Sequence, residues 1–124
     1  MKILLRVSIA IFCIFAPIIR VEKPTTNEGC VAVVNVEAGA IYSNFSAITL
    51  YPIILTVDYD GSDPFLLKHE SVHCRQVSKE GTIAFYYNYL RHYFRNRLKG
   101  MDKQMAYAAI PYEIEARKLA RGHK

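Results

Sequence analysis

The chain has 124 residues, enough for one domain with a modest core and too few for two. Apolar residues make up 52% of it, which excludes a disordered chain and implies a packed interior. The net charge of +5 gathers in the C-terminal half, at Arg91, Arg95, Arg97, Lys99, Lys103, Arg117, Lys118 and Arg121. No nucleic-acid-binding motif accompanies these cations, so they read as a solvated helix face and no nucleic-acid partner is expected.

In chain order, Lys2 and Arg6 lead into an apolar stretch from Val7 to Ile19 that Arg20 ends. This pattern resembles a signal peptide or signal anchor, shorter than the roughly 20 apolar residues of a spanning helix. It points to membrane association through the N-terminus or export, with a cytoplasmic location as the alternative. Residues 1–20 form this segment, 21–30 a polar linker containing Pro24, and 31–124 a single domain. Cys13, Cys30 and Cys74 make no even-numbered framework, so no disulfide scaffold is predicted. Cys74 reads as a small buried residue, since a helix turns it about 100° away from His73. Asn44-Phe45-Ser46 fits a glycosylation acceptor, a common triplet of little weight.

Val31 to Val36 is a β-branched strand, and a second short strand is expected near Ala40 to Tyr42. Ala47 to Val57 is the strongest strand signal, demoted by Pro52 to an edge or bulged strand. Asp58 to Asp63 is a turn. Helices are expected over Pro64–Glu80, from about Thr82 to Leu98, and from about Ile110 to Arg121 with Pro111 in the first turn. The segment Asp102 to Ala109 has helical character too. Strands first and helices afterwards make an α+β domain: a small antiparallel or mixed sheet with an edge strand ahead of the first helix.

That first helix carries His69-Glu70-Ser71-Val72-His73, an HExxH run. Asp63 suits the N-cap, Pro64 the first helical position, and Gly81 the residue after the end. Residues four apart share a helix face, so His69 and His73 can aim ring nitrogens at one Zn²⁺ ion. Glu70, one step round, is placed to act as the general base on a water molecule. His69, His73, Gln76 and Glu80 form one stripe.

A third ligand is needed. HExxHxxGxxH would require Gly and His where this chain has Gln76 and Lys79, which excludes that type. Pro111-Tyr112-Glu113-Ile114-Glu115-Ala116 offers two carboxylates about 200° apart on a helix, so either Glu113 or Glu115 can face the ion, not both. Tyr107 and Tyr112 flank this segment and are candidate oxyanion donors.

The HExxH run with a downstream Glu-x-x-Ala resembles the gluzincin class of zinc peptidases, including the small minigluzincins. His-Glu-x-x-His-x-x-Gln followed by Pro-Tyr-Glu-x-Glu-Ala is similar to small phage and bacterial proteins, over roughly residues 47–120. The resemblance implies a zincin-like fold, Zn²⁺ as cofactor and Glu113 as third ligand, with Ala116 at the Ala position. The family's next residue, an Asp that orients a ligand His, is Arg117 here, so another group such as Glu115 must take that part.

The expected function is a zinc metallopeptidase acting on a peptide or protein, with an edge strand able to pair with an extended substrate. Two other classes compete. One is a non-catalytic zinc-stapled structural or interaction protein. The other is a basic membrane-surface or nucleic-acid binder built on the aromatic, arginine-rich second helix.

Overall fold

The computed structural model describes residues 19–22, 29–37 and 46–122. Among them four strands precede four helices. These are β1 (Ile19–Glu22), β2 (Ala32–Val36), β3 (Ala47–Leu50), β4 (Ile53–Val57), α1 (Pro64–Glu80), α2 (Thr82–Leu98), α3 (Lys103–Ala108) and α4 (Pro111–Ala120). The order is the α+β one expected. Strand β1 takes in Val21 and Glu22, the start of the segment expected to be a linker. The apolar stretch before Ile19, the strand expected near Ala40 to Tyr42, Cys13 and Asn44 lie outside the described residues.

The sheet runs β1-β2-β4-β3. Its outer pairs are antiparallel and its central β2–β4 pair is parallel, so it is mixed. One expectation needs correction here. Ala47 to Val57 is not a single strand but a hairpin, with β3 and β4 registered from Ala47 opposite Thr56 to Leu50 opposite Ile53. Pro52 has no N–H to donate and a fixed φ, so it ends the strand. The chain reverses over Tyr51-Pro52, a cis peptide. This makes β3 the edge strand and places β4, which leads into α1, inside the sheet.

The core lies where the sheet meets α1, with Cys30, Val33, Ile54 and Cys74 at its centre and Tyr51 and Leu67 packed around them. Cys30 and Cys74 form a disulfide across 44 positions, their Cα atoms 5.4 Å apart. Parity of a cysteine count says nothing about which two residues a fold brings within bridging range. The 100° step that turns Cys74 away from the His73 imidazole aims it at the start of β2. Gly29 makes that approach possible. Its φ is +102°, and a Cβ there would lie 3.1 Å from both Cys74 O and Ser78 Cβ.

The start of α1 is held on both sides. Asp63 accepts from the backbone N–H groups of Phe65 at 3.0 Å and Leu66 at 3.3 Å, satisfying two of the helix's free donors. Asn35 of β2 accepts from Thr56 Oγ1 and Tyr59 N and donates to Tyr59 O, clamping the turn that precedes the helix. Helix α2 turns Phe85 and Asn96 inward, and Asn96 donates to Ala106 O of α3 at 3.0 Å. Helix α1 packs against the sheet and against α4, and that pairing builds the site.

Candidate metal centre

The polar stripe of α1 is matched residue for residue by α4. His69 Nε2 lies 3.1 Å from Glu113 Oε2, and His73 Nε2 lies 3.1 Å from Glu113 Oε1. The two Nε2 atoms are 3.2 Å apart. Further along, Gln76 meets Glu115 and Glu80 meets Tyr112. His69, His73 and Glu113 are all buried, Glu113 to 1% exposure. They form a group able to hold a metal ion.

Gln76 settles the protonation of one imidazole. Its Nε2 donates to Tyr112 O at 3.2 Å and Glu115 Oε2 at 2.9 Å, so its Oε1 must face His73 Nδ1, 2.8 Å away. His73 therefore donates through Nδ1, and in the neutral ring its Nε2 is a lone pair pointed at Glu113 and His69. Electron-rich atoms converge there, and a cation must lie among them. Without a metal that cation is a proton. Burial alone would lower the His73 pKa, but the hydrogen bond and charge of Glu113 outweigh it and raise it. Burial alone would likewise raise Glu113, but the hydrogen bonds of His69 and His73 hold it well below the usual carboxylate range.

The donor set fits zinc on its own dimensions. Tetrahedral ligands at about 2.0–2.1 Å from an ion lie roughly 3.3–3.4 Å from one another. The two Nε2 atoms, 3.2 Å apart, are close to that, and one oxygen of Glu113 completes a set of donors that all lie within 4.8 Å of one another. Two neutral imidazoles and one carboxylate are also a recurring zinc set that leaves a fourth position open.

Beside the three residues is a cleft of about 520 Å³. One wall is β3; the others come from Glu70, Phe85, Tyr86, Tyr89, Leu90 and Tyr107. Glu70 is buried, and Thr49 Oγ1 lies 2.7 Å from its Oε2 and 3.0 Å from its carbonyl O. The hydroxyl has one proton, so it donates to one of them at a time. Tyr89 donates to Glu113 Oε1 at 2.7 Å. Burial first, then the Glu113 charge, push the phenols of Tyr89 and Tyr107 well above the ordinary tyrosine value, so both stay protonated as donors.

The edge strand has a defined polarity toward this cleft. Val57 N–H donates to Ser46 O, which fixes the antiparallel phase. Ser46, Ile48 and Leu50 then direct backbone groups at β4, while Ala47 and Thr49 direct theirs outward. The outward groups near the bend are met by one hydroxyl. Tyr86 Oη donates to Thr49 O and accepts from Tyr51 N, both at 3.1 Å.

Among the residues expected from sequence, His69, His73 and Glu113 come together and Glu70 and Tyr107 line the adjoining cleft. Glu115 is not with the histidines; it braces Gln76, which in turn orients His73. Tyr112 does not line the cleft. Its hydroxyl donates to Glu80 Oε2 at 2.5 Å, outside the cleft that Tyr107 lines, so it is not placed as an oxyanion donor. Arg117 lies 3.7 Å from Glu113 Oε2 and donates to Ala108 O.

Sequence reasoning missed Thr49, Tyr86 and Tyr89, and set Gln76 on the histidine stripe without giving it a role. Gln76 had a usable signal, being three residues past His73 on the same face. So did Tyr89, whose hydroxyl needs a partner if Phe85, one turn away, is core. Thr49 and Tyr86 had none. No protein-family model matches this chain, and no curated protein or solved structure matches it either.

Proposed function

We propose that this protein is a zinc-dependent metallopeptidase of gluzincin type, hydrolysing a peptide bond with Glu70 as general base. The observation that carries the reading is the buried convergence of His69, His73 and Glu113 beside a cleft walled by an edge strand. His69, His73 and Glu113 would hold the ion. Zinc supplies Lewis acidity there, polarising a carbonyl and making water acidic enough to ionise near neutral pH.

The chain's own groups do the rest. The outward backbone groups of Ala47 and the N–H of Thr49 pair with an extended peptide and lay it along the cleft. Glu70, steadied by Thr49, takes the proton of the attacking water and delivers it to the leaving amine. Tyr107, kept protonated, is the donor available to a developing oxyanion. The Cys30–Cys74 bond supports an oxidising compartment, in keeping with an exported or membrane-associated protein.

Metal content and hydrolysis of a quenched-fluorescent peptide library, measured on wild type, Glu70→Gln and Glu113→Ala, test this. Wild type should bind one zinc and cleave; Glu70→Gln should keep zinc and lose cleavage by at least 100-fold; Glu113→Ala should lose both. Zinc retained with no cleavage by wild type would instead establish a metal-stapled structural protein.

A further inference from the structure

Helix α2 has two faces of different character. Phe85 and Asn96 are buried inward. Outward, Ile83 is 87% exposed and Leu98 90%, with Tyr87, Leu90 and Phe94 more than half exposed among the described residues. At about 100° per residue these five fall within a stripe roughly 80° wide. Arg91 and Arg95 follow along one flank and Arg97 along the other. From Thr82 to Leu98 there is no acidic residue. A continuous apolar strip this exposed on a small domain marks a surface that something covers.

We propose that this face of α2 docks on an anionic lipid bilayer, with Ile83, Leu90, Phe94 and Leu98 entering the acyl boundary and the arginines meeting lipid phosphates. The pattern is that of an interfacial helix: an apolar face bordered by cations whose stems lie along the apolar surface while their heads stay in the polar layer. Charge decides against a second copy. Stripe-to-stripe pairing would set Arg91, Arg95 and Arg97 of each copy near their counterparts, with no carboxylate on either helix to answer them. A nucleic acid would satisfy the arginines but leave Ile83, Leu90 and Leu98 in water. Leu90 also lines the cleft, so a bilayer under the stripe lies at the mouth of the metal site. The docking itself does not depend on the metal.

The chain contains no tryptophan, so Phe94→Trp gives a single reporter at the centre of the stripe. Mixed with vesicles of phosphatidylglycerol and phosphatidylcholine, the full-length protein should show a blue shift at position 94, with little shift on phosphatidylcholine alone. Replacing Arg91, Arg95 and Arg97 together by Gln should weaken co-sedimentation on the order of 100-fold, about fivefold for each cation. Phe94→Asp with Leu98→Asp should weaken it at least tenfold. Vesicle binding without a shift at position 94 would overturn the proposal and place the contact elsewhere in the chain. So would emission that shifts with protein concentration in the absence of lipid, the sign of a second copy, or an oligonucleotide that displaces the vesicles.

Discussion

Gln76 donates to Glu115 Oε2 at 2.9 Å, and through that bond Glu115 orients an imidazole it does not touch. The amide is held by two acceptors on α4, so its oxygen has one direction left, toward His73. A Gln–Glu pair thus fixes the direction in which the His73 Nδ1 hydrogen points. Removing such a partner costs about 10- to 100-fold in metal affinity. Gln76→Ala should lose that much in competition with a chromogenic chelator, Glu115→Ala should lose less, and Glu113→Ala should stop binding altogether. Equal affinities for Gln76→Ala and wild type would refute the assignment.

Tyr86 closes the outward edge of β3 next to the bend. Tyr86→Phe removes the hydroxyl that bonds both Thr49 O and Tyr51 N. Two net hydrogen bonds at a half-buried position are worth about 1–2 kcal/mol, so urea denaturation should show a loss of that size. The variant also frees two backbone groups for a longer extended peptide. KM for such peptides should fall while kcat stays unchanged; a fall in kcat alone would place Tyr86 in the chemistry instead.

Acid and base should act on the metal-free protein in a predictable way. The raised pKa of His73 gives stability that is complete below its ordinary 6.5 and lost as pH rises through the folded value. The lowered pKa of Glu113 gives stability that is complete above 4.5 and lost as pH falls through the folded value. Both contributions are present together between these two values, so with a chelator present the Tm should peak in mildly acidic solution. Zinc must displace the proton, so its stabilising effect should grow toward neutral and alkaline pH. Calorimetric pH series with zinc and with chelator should therefore diverge as pH rises; parallel profiles would mean that the metal does not bind at these residues.

The disulfide closes a span of 44 positions, and loop-closure entropy for that length is about 4 kcal/mol. Cys30→Ala with Cys74→Ala should lose stability of that order in a denaturant titration. Reductant should lower the wild-type midpoint and leave the double variant where it is. Gly29→Ala should destabilise too, because the new Cβ would press on Cys74 O and Ser78 Cβ at an unfavourable φ.

What could be read from sequence followed from local rules. Asp63-Pro64 and Gly81 punctuate α1, and the helix runs Pro64–Glu80. The spacing of His69 and His73 sets them on one face wherever that helix packs. Glu113 and Glu115 point about 200° apart, so sequence could say that one of them turns to the histidines but not which. That choice rests on how α4 rotates against α1, a tertiary fact. The hairpin was hidden for a related reason: an apolar, β-branched run reads as one strand until the partner of each half is known. The cysteine pair and the Thr49–Glu70 contact likewise depend on residues more than 20 positions apart.

The donor set is also spread unevenly in time. Both imidazoles and Glu70 are made about 40 positions ahead of Glu113. A nascent or prematurely terminated chain therefore displays an HExxH helix that cannot close around an ion. The group able to hold an ion is complete only once Pro111–Ala120 packs against α1, so a chain cut short of Glu113 lacks the third donor.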